Sequence, residues 1–101
     1  MSVETRTDIK GLSKFLFAKD ADPDLLHLHV SKVEPGQRAH PPHQHEGQEI
    51  FFVLEGNGEV LHGNETHAVN TGEAMHVECS ILHGIQNVGD GPLRYAVIIA
   101  K

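Results

Sequence analysis

The chain holds a single cysteine, Cys79, in 101 residues. A lone thiol forms no internal disulfide and no zinc site built mainly from thiolates, so stability must come from packing, a metal or a partner subunit. Positive charge is also scarce, with eight Lys and Arg against fourteen Asp and Glu, for a formal net charge of −6. That sign is wrong for attraction to phosphate backbones or anionic lipid, so neither nucleic acid nor a membrane surface is expected as a partner. Long apolar runs are missing: nothing approaches the roughly 20 apolar residues of a membrane helix, and the polar start Met1 to Lys10 lacks the apolar core of a signal peptide. The expected location is cytoplasmic. Tryptophan is absent, no segment keeps a 3.6-residue apolar repeat, and ten Gly with five Pro would interrupt most helices. What remains is a small all-β domain.

The hydrophobic fraction of 39% and charged fraction of 22% are those of a folded chain, and this length supports one hydrophobic core rather than two. Residues 1–24 read as a lead-in segment with one short apolar run, Phe15 to Phe17, ending in the breaker cluster Asp20 to Asp24. Residues 25–101 read as the barrel domain. From Leu25 to Val33 the residues alternate, Leu26, Leu28 and Val30 on one face and His27, His29 and Ser31 on the other. Ile50 to Leu54 is an apolar strand, and the Glu55-Gly56-Asn57-Gly58 stretch after it predicts a hairpin. Further strands are expected at Glu59 to His62, Thr66 to Asn70, Ala74 to Val77, His83 to Val88 and Leu93 to Ala100, divided by Gly63-Asn64, Thr71-Gly72 and Gly89 to Pro92.

Against these scarcities stand nine histidines. In His43-Gln44-His45 the two imidazoles are one residue apart, which in extended backbone puts them on one face. Glu49 shares their parity and reaches the same point if Glu46-Gly47-Gln48 stays extended or bends compactly. His83 joins from a later strand. Three imidazoles and one carboxylate suit a divalent first-row ion, Fe, Mn, Ni, Co, Cu or Zn, whereas calcium and magnesium prefer oxygen.

The spacing Gly36, His43, His45, Glu49, Gly56 resembles the first motif of the cupin superfamily, and Gly72, His83, Asn87 resembles its second. The resemblance implies a single-domain double-stranded β-helix, or jelly-roll barrel, with His43, His45, Glu49 and His83 as metal ligands. Two departures are visible. The spacer before His43 is one residue longer than usual, implying a wider loop at His40-Pro41-Pro42. The Pro and Gly of the second motif are replaced by Glu78 and Ser80, implying a less rigid turn with a carboxylate at the barrel mouth.

The other histidines divide by context. His40 reads as a solvated loop residue, and His62 and His67 as exposed cross-strand neighbours at the end of the Gly63-Asn64 turn. His27 and His29 share the strand face leading into the first motif, and His76 fits a barrel-lining role as well as an outward one. Cys79 reads as a small buried hydrophobe. Phe51 and Val53 share the parity of Glu49 and should line the interior, while Ile50, Phe52 and Leu54 need a second cover. The resemblance, whose short members pair as dimers, favours a homodimer.

Four protein ligands on a six-coordinate ion leave two positions for a chelating substrate. After Lys32 only Arg38, Arg94 and Lys101 carry positive charge, which disfavours phosphorylated substrates. With an apolar lining from Phe51, Val53, Met75, Ile85 and Tyr95, and Arg94 as a carboxylate partner, a small metal-chelating substrate fits. The expectation is a dioxygenase-like oxidoreductase in which Glu49 doubles as proton acceptor. Alternatives are a non-catalytic sensor or storage module that binds a small ligand or metal, and a metal-assisted isomerase of a free sugar or keto acid.

Overall fold

The computed structural model describes residues 2–101, and every regular element among them is a β-strand. In chain order they are β1 (Val3–Arg6), β2 (Phe15–Ala18), β3 (Leu26–Val33), β4 (Gln48–Glu55), β5 (Asn57–His62), β6 (Glu65–Asn70), β7 (Ala74–Glu78), β8 (His83–Asn87) and β9 (Leu93–Ala100). They form a four-stranded sheet in the order β3-β9-β4-β7, a three-stranded sheet in the order β6-β5-β8, and the pair β1-β2. Within these sheets neighbouring strands run antiparallel.

Strand alternation builds the core. On β4, Glu49, Phe51 and Val53 are buried while Gln48 and Phe52 are exposed, as their parity predicts. On β9, Leu93, Tyr95 and Val97 point inward and Arg94 outward. These side chains meet Val77 from β7, Val60 from β5, Val69 from β6 and Ile85 from β8 in one cluster between the two sheets. On β3 the inward face is the polar one: Ser31 is buried, paired in register with Tyr95, so His27 and His29 lie on the same inner side. Leu26 and Leu28 consequently sit on the outer face.

The Gly56 turn is not the hairpin expected from its composition. β4 pairs with β7 and β9, whereas β5 pairs with β6 and β8, so the chain crosses from one sheet to the other there. Gly56 has φ of 96°, and a Cβ on it would lie 2.4 Å from the Pro92 carbonyl oxygen. Only glycine fits a corner turned that tightly. The Gly63-Asn64 pair does close a hairpin, with His62 opposite Glu65.

The N-terminal segment carries two strands where the sequence shows one run. β1 and β2 pair from Val3↔Ala18 to Arg6↔Phe15, and the rings of Phe15 and Phe17 stack at 5.8 Å. The segment is fastened to the outer edge of the larger sheet by Val30 N, which donates to Lys10 O at 2.9 Å. The neighbouring Gly11 has φ of 78°, and a Cβ there would meet Val30 O at 2.2 Å.

Candidate metal site

Two stretches far apart in sequence are zipped together at one end of the barrel. His43 N donates to His83 O and His83 N to His43 O, both at 3.0 Å; His45 N donates to Cys79 O at 2.9 Å, and Cys79 N to Gly47 O at 3.0 Å. A bend at Glu46 and Gly47 then turns the chain onto β4, where Glu49 is the second residue and faces inward. His83 opens β8 and is fully buried. The ligand atoms of His43, His45, Glu49 and His83 all lie within 4.8 Å of one another. The structure thus brings the four expected residues to one point.

His45 Nδ1 lies 2.8 Å from Glu46 O, and a carbonyl only accepts, so Nδ1 carries the hydrogen. In the neutral ring Nε2 then presents a lone pair to Glu49 Oε1, 2.8 Å away. His83 repeats the arrangement: Nδ1 donates to Ile81 O at 2.9 Å, leaving Nε2 at 3.5 Å from Glu49 Oε1. That Nε2 is buried and has no hydrogen-bond partner. With both rings neutral, two imidazole lone pairs and a carboxylate converge with no hydrogen to share, an arrangement that a shared proton or a bound metal cation relieves.

His43 completes the set, its ring centroid 4.9 Å from that of His45 and 4.8 Å from that of His83. Burial holds its pKa below the ordinary histidine value, and the neighbouring His40, His83 and His45 push the same way, with Glu49 opposing. A neutral imidazole is the form that binds metal. Three nitrogens and one carboxylate oxygen are compatible with a divalent transition ion, so these residues fit such a group.

A cavity of about 500 Å³, lined by His27, His45, Glu46, Ile99 and Lys101, opens beside the cluster. On the core side of the cluster the surroundings are apolar: the Phe51 ring lies 6.5 Å from that of His83 and 6.2 Å from that of Tyr95. Cys79 is buried, and its thiol is pushed up to about 11 by desolvation first, then by Glu49 and Glu78. Asn87 is structural. Its Nδ2 donates to Val33 O at 3.1 Å and Gly91 O at 2.8 Å, and its Oδ1 accepts from Gly89 N at 2.9 Å, tying the turn before β9 to the end of β3.

Several expectations about neighbouring residues change. Arg94 is exposed, because Leu93 and Tyr95 on either side of it take the inward positions, so it offers no carboxylate contact inside the barrel. His76 is outward, hydrogen-bonded to Gln48 Oε1 at 2.5 Å. His62 is not a solvated turn residue: it is part-buried in register with His83, and its Nε2 is buried without a partner. The signal was its parity with Gly58 and Val60, both buried. His67 is exposed and pairs with Val60 rather than with His62. His40 is exposed, its ring 4.6 Å from that of His43, while His27 and His29 are part-buried. Glu78 and Ser80 compensate each other: Ser80 Oγ donates to the Glu78 carboxylate at 2.6 Å, and Gln44 Nε2 donates to Ser80 O at 2.8 Å. The turn before His83 is thus clasped by side chains instead of being set by proline and glycine.

A protein-family model described as a cupin domain matches residues 29–99. An uncharacterized protein of Methanocaldococcus jannaschii is 34% identical over 53 residues, which is 52% of this chain and 42% of that protein. The chain therefore matches less than half the length of this curated relative. Among solved structures, a Thermus thermophilus protein aligns at TM-score 0.69 with 28% identity, covering 74% of this chain and 71% of its own. A Thermotoga maritima protein described as a predicted oxalate decarboxylase aligns at TM-score 0.71 with 23% identity over 98% of this chain and 91% of its own. An oxalate oxidase in complex with glycolate aligns at TM-score 0.69 with 23% identity, covering 76% of this chain and 42% of its own. At such identity the last two share the fold.

Proposed function

This chain belongs to the cupin domain family, and from that premise we propose that it is a metal-dependent enzyme that oxidises a small metal-chelating substrate in the manner of a dioxygenase. The observation that carries the proposal is the convergence of His45 Nε2 and His83 Nε2 on Glu49 Oε1, with the ligand atoms of His43, His45, Glu49 and His83 all within 4.8 Å of one another. In this reading His43, His45, Glu49 and His83 hold a divalent ion, one of Fe, Mn, Ni, Co, Cu or Zn. A bound ion of this group supplies Lewis-acid polarisation of a chelated oxygen and, where redox-active, electron transfer.

The remaining chemistry belongs to the chain. The carbonyls of Glu46 and Ile81 fix the tautomers of His45 and His83, keeping both Nε2 atoms as donors to the site. Phe51 and Tyr95 exclude water from the inner side, which strengthens every charge interaction there. Glu49 is the only buried carboxylate among the described residues, and its side chain is the acceptor for a proton leaving the substrate. Small acids are favoured because a divalent ion with one carboxylate ligand keeps a net positive charge.

The reading includes a second copy of the chain on the outer face of β3-β9-β4-β7. Supporting it, Leu26 and Phe52 are 59% and 36% exposed there, and Ile50 and Ile98 are paired in register between them. Light scattering at micromolar concentration should give twice the monomer mass, and a monomer mass would exclude the pairing.

The test of function is oxygen uptake by ion-loaded protein against a panel of small hydroxy and oxo acids. Uptake that depends on one of them supports the reading. Conversion of a substrate without oxygen replaces it with an isomerase, and binding without conversion replaces it with a sensor or storage module.

A further inference from the structure

The cavity beside the ligand cluster has a further histidine in its wall. His27 and His45 line the same space of about 500 Å³, with Ile99 also in its lining. The register of the larger sheet explains this placement: Ile99 of β9 is paired with His27 on β3 and with Glu49 on β4, so the three stand in one row across adjacent strands. Neighbouring strands are about 4.8 Å apart, which puts the His27 and Glu49 backbones roughly 10 Å from each other. His27 shares the parity of the buried Ser31, and Glu49 is itself buried, so both side chains rise from the inner face on opposite sides of Ile99. His29 stands one row further along, beside Val97 and in line with Phe51.

The His27 ring keeps its full hydrogen-bonding capacity. His40, His45 and His83 each hold Nδ1 against a carbonyl oxygen, and His76 is bonded to Gln48. The His27 ring, part-buried, makes no hydrogen bond or ion pair among the described residues. A neutral imidazole with neither nitrogen engaged offers one donor and one acceptor. That combination matches a hydroxyl, which also both donates and accepts. Charge in the cavity lining does not favour an ion over a neutral group, since the two charged residues there, Glu46 and Lys101, are of opposite sign.

We infer that His27 is a specificity-determining residue of this site: it hydrogen-bonds a hydroxyl at the far end of a ligand whose near end chelates the ion held by His43, His45, Glu49 and His83. The inference rests on the metal-dependent reading above and narrows its ligand class to small hydroxy acids with a second, distal hydroxyl, their carbon chain lying on Ile99. A few placed polar groups over an apolar surface are how small-molecule sites fix orientation. The contact is remote from the ion, so His27 selects the ligand without taking part in ligation.

Calorimetric titration of Mn²⁺-loaded protein with α-hydroxybutyrate, α-hydroxyvalerate and α-hydroxycaproate, and with their counterparts carrying one further hydroxyl on the terminal carbon, tests this contact. At one chain length the terminal hydroxyl should tighten binding about tenfold, the upper scale of a neutral hydrogen bond. His27→Leu should erase that gain, and His27→Gln, whose amide also donates and accepts, should retain most of it. His67→Leu, on the exposed strand β6, should leave it unchanged, and all variants should take up as much Mn²⁺ as the parent. In the unsubstituted protein loaded with diamagnetic Zn²⁺, the His27 ring resonances should shift far more on adding the terminal-hydroxy acid than on adding its counterpart. A gain that survives in His27→Leu, or His27 resonances that do not distinguish the two acids, would overturn the inference. Normal Mn²⁺ uptake with no gain at any chain length would overturn it alone, whereas a parent that takes up no Mn²⁺ would overturn the metal reading together with it.

Discussion

His43 and His83 exchange both of their backbone hydrogen bonds, each 3.0 Å long, so the two histidine-bearing segments are fastened by main chain before either side chain binds anything. The bridge separates positioning from ligation. Replacing either side chain leaves the backbone link in place, so the loss measured is that of a donor.

His83→Ala should accordingly leave a folded protein that binds a divalent ion at least about a hundredfold more weakly, in line with losing one of four ligands. His67→Ala, on the exposed strand β6, is the control and should change nothing. Competition with a chromogenic chelator measures both. Equal affinity in His83→Ala and the parent would remove His83 from the site. His62→Ala is no control, because its ring is part-buried beside His83.

Acid should weaken the ion-free protein. His43 and His29 both have folded pKa values below the ordinary one, mainly through burial. Between those values and the unfolded value near ~6.5, the unfolded chain binds more protons than the folded one, so this stability is present above ~6.5 and is lost as pH falls below it. The urea midpoint should therefore drop between pH 7 and pH 5, and His29→Gln with His43→Gln should flatten the drop. A midpoint independent of pH over this range contradicts the assignment.

Gly56→Ala should destabilise by at least ~1–3 kcal/mol, the usual cost of a non-glycine residue in such a conformation. Its Cβ would also sit 2.4 Å from Pro92 O, which adds a clash to the strain of φ at 96°. Urea denaturation reads the change, and a loss below about 0.5 kcal/mol would mean that the corner relaxes freely.

Cys79 should be inert in the native protein. Its thiol is pushed up to about 11 and is buried beneath the turn before His83, so a thiol reagent at pH 8 should label it only after unfolding. Rapid labelling of the native protein would show that this turn opens.

The ligand set was legible because it depends on local parity: His43, His45 and Glu49 follow from strand geometry within seven residues, and the motif spacing adds His83. The inward set Phe51, Val53, Tyr95 and Ile85 was legible for the same reason. What escaped was non-local. Gly56 announces a sharp corner, yet nothing in its neighbours says that the next strand joins the opposite sheet. Arg94 and His62 were misplaced although alternation held the answer, Arg94 falling opposite the inward Leu93 and His62 on the side of the inward Val60, because charge and proximity to a turn suggested otherwise. The docking of the N-terminal segment on β3, through the bond from Val30 N to Lys10 O, is a contact with no periodic signature.

The most direct test of the central claim is elemental analysis of untagged protein after reconstitution with Fe, Mn, Ni, Co, Cu and Zn in turn. Nε2 of His45 and of His83 facing the Glu49 carboxylate form a donor set for a cation, so about one equivalent of at least one ion should be retained per chain, and Glu49→Gln should lose most of it. Less than about a tenth of an equivalent of every ion, in a folded protein, would contradict the account.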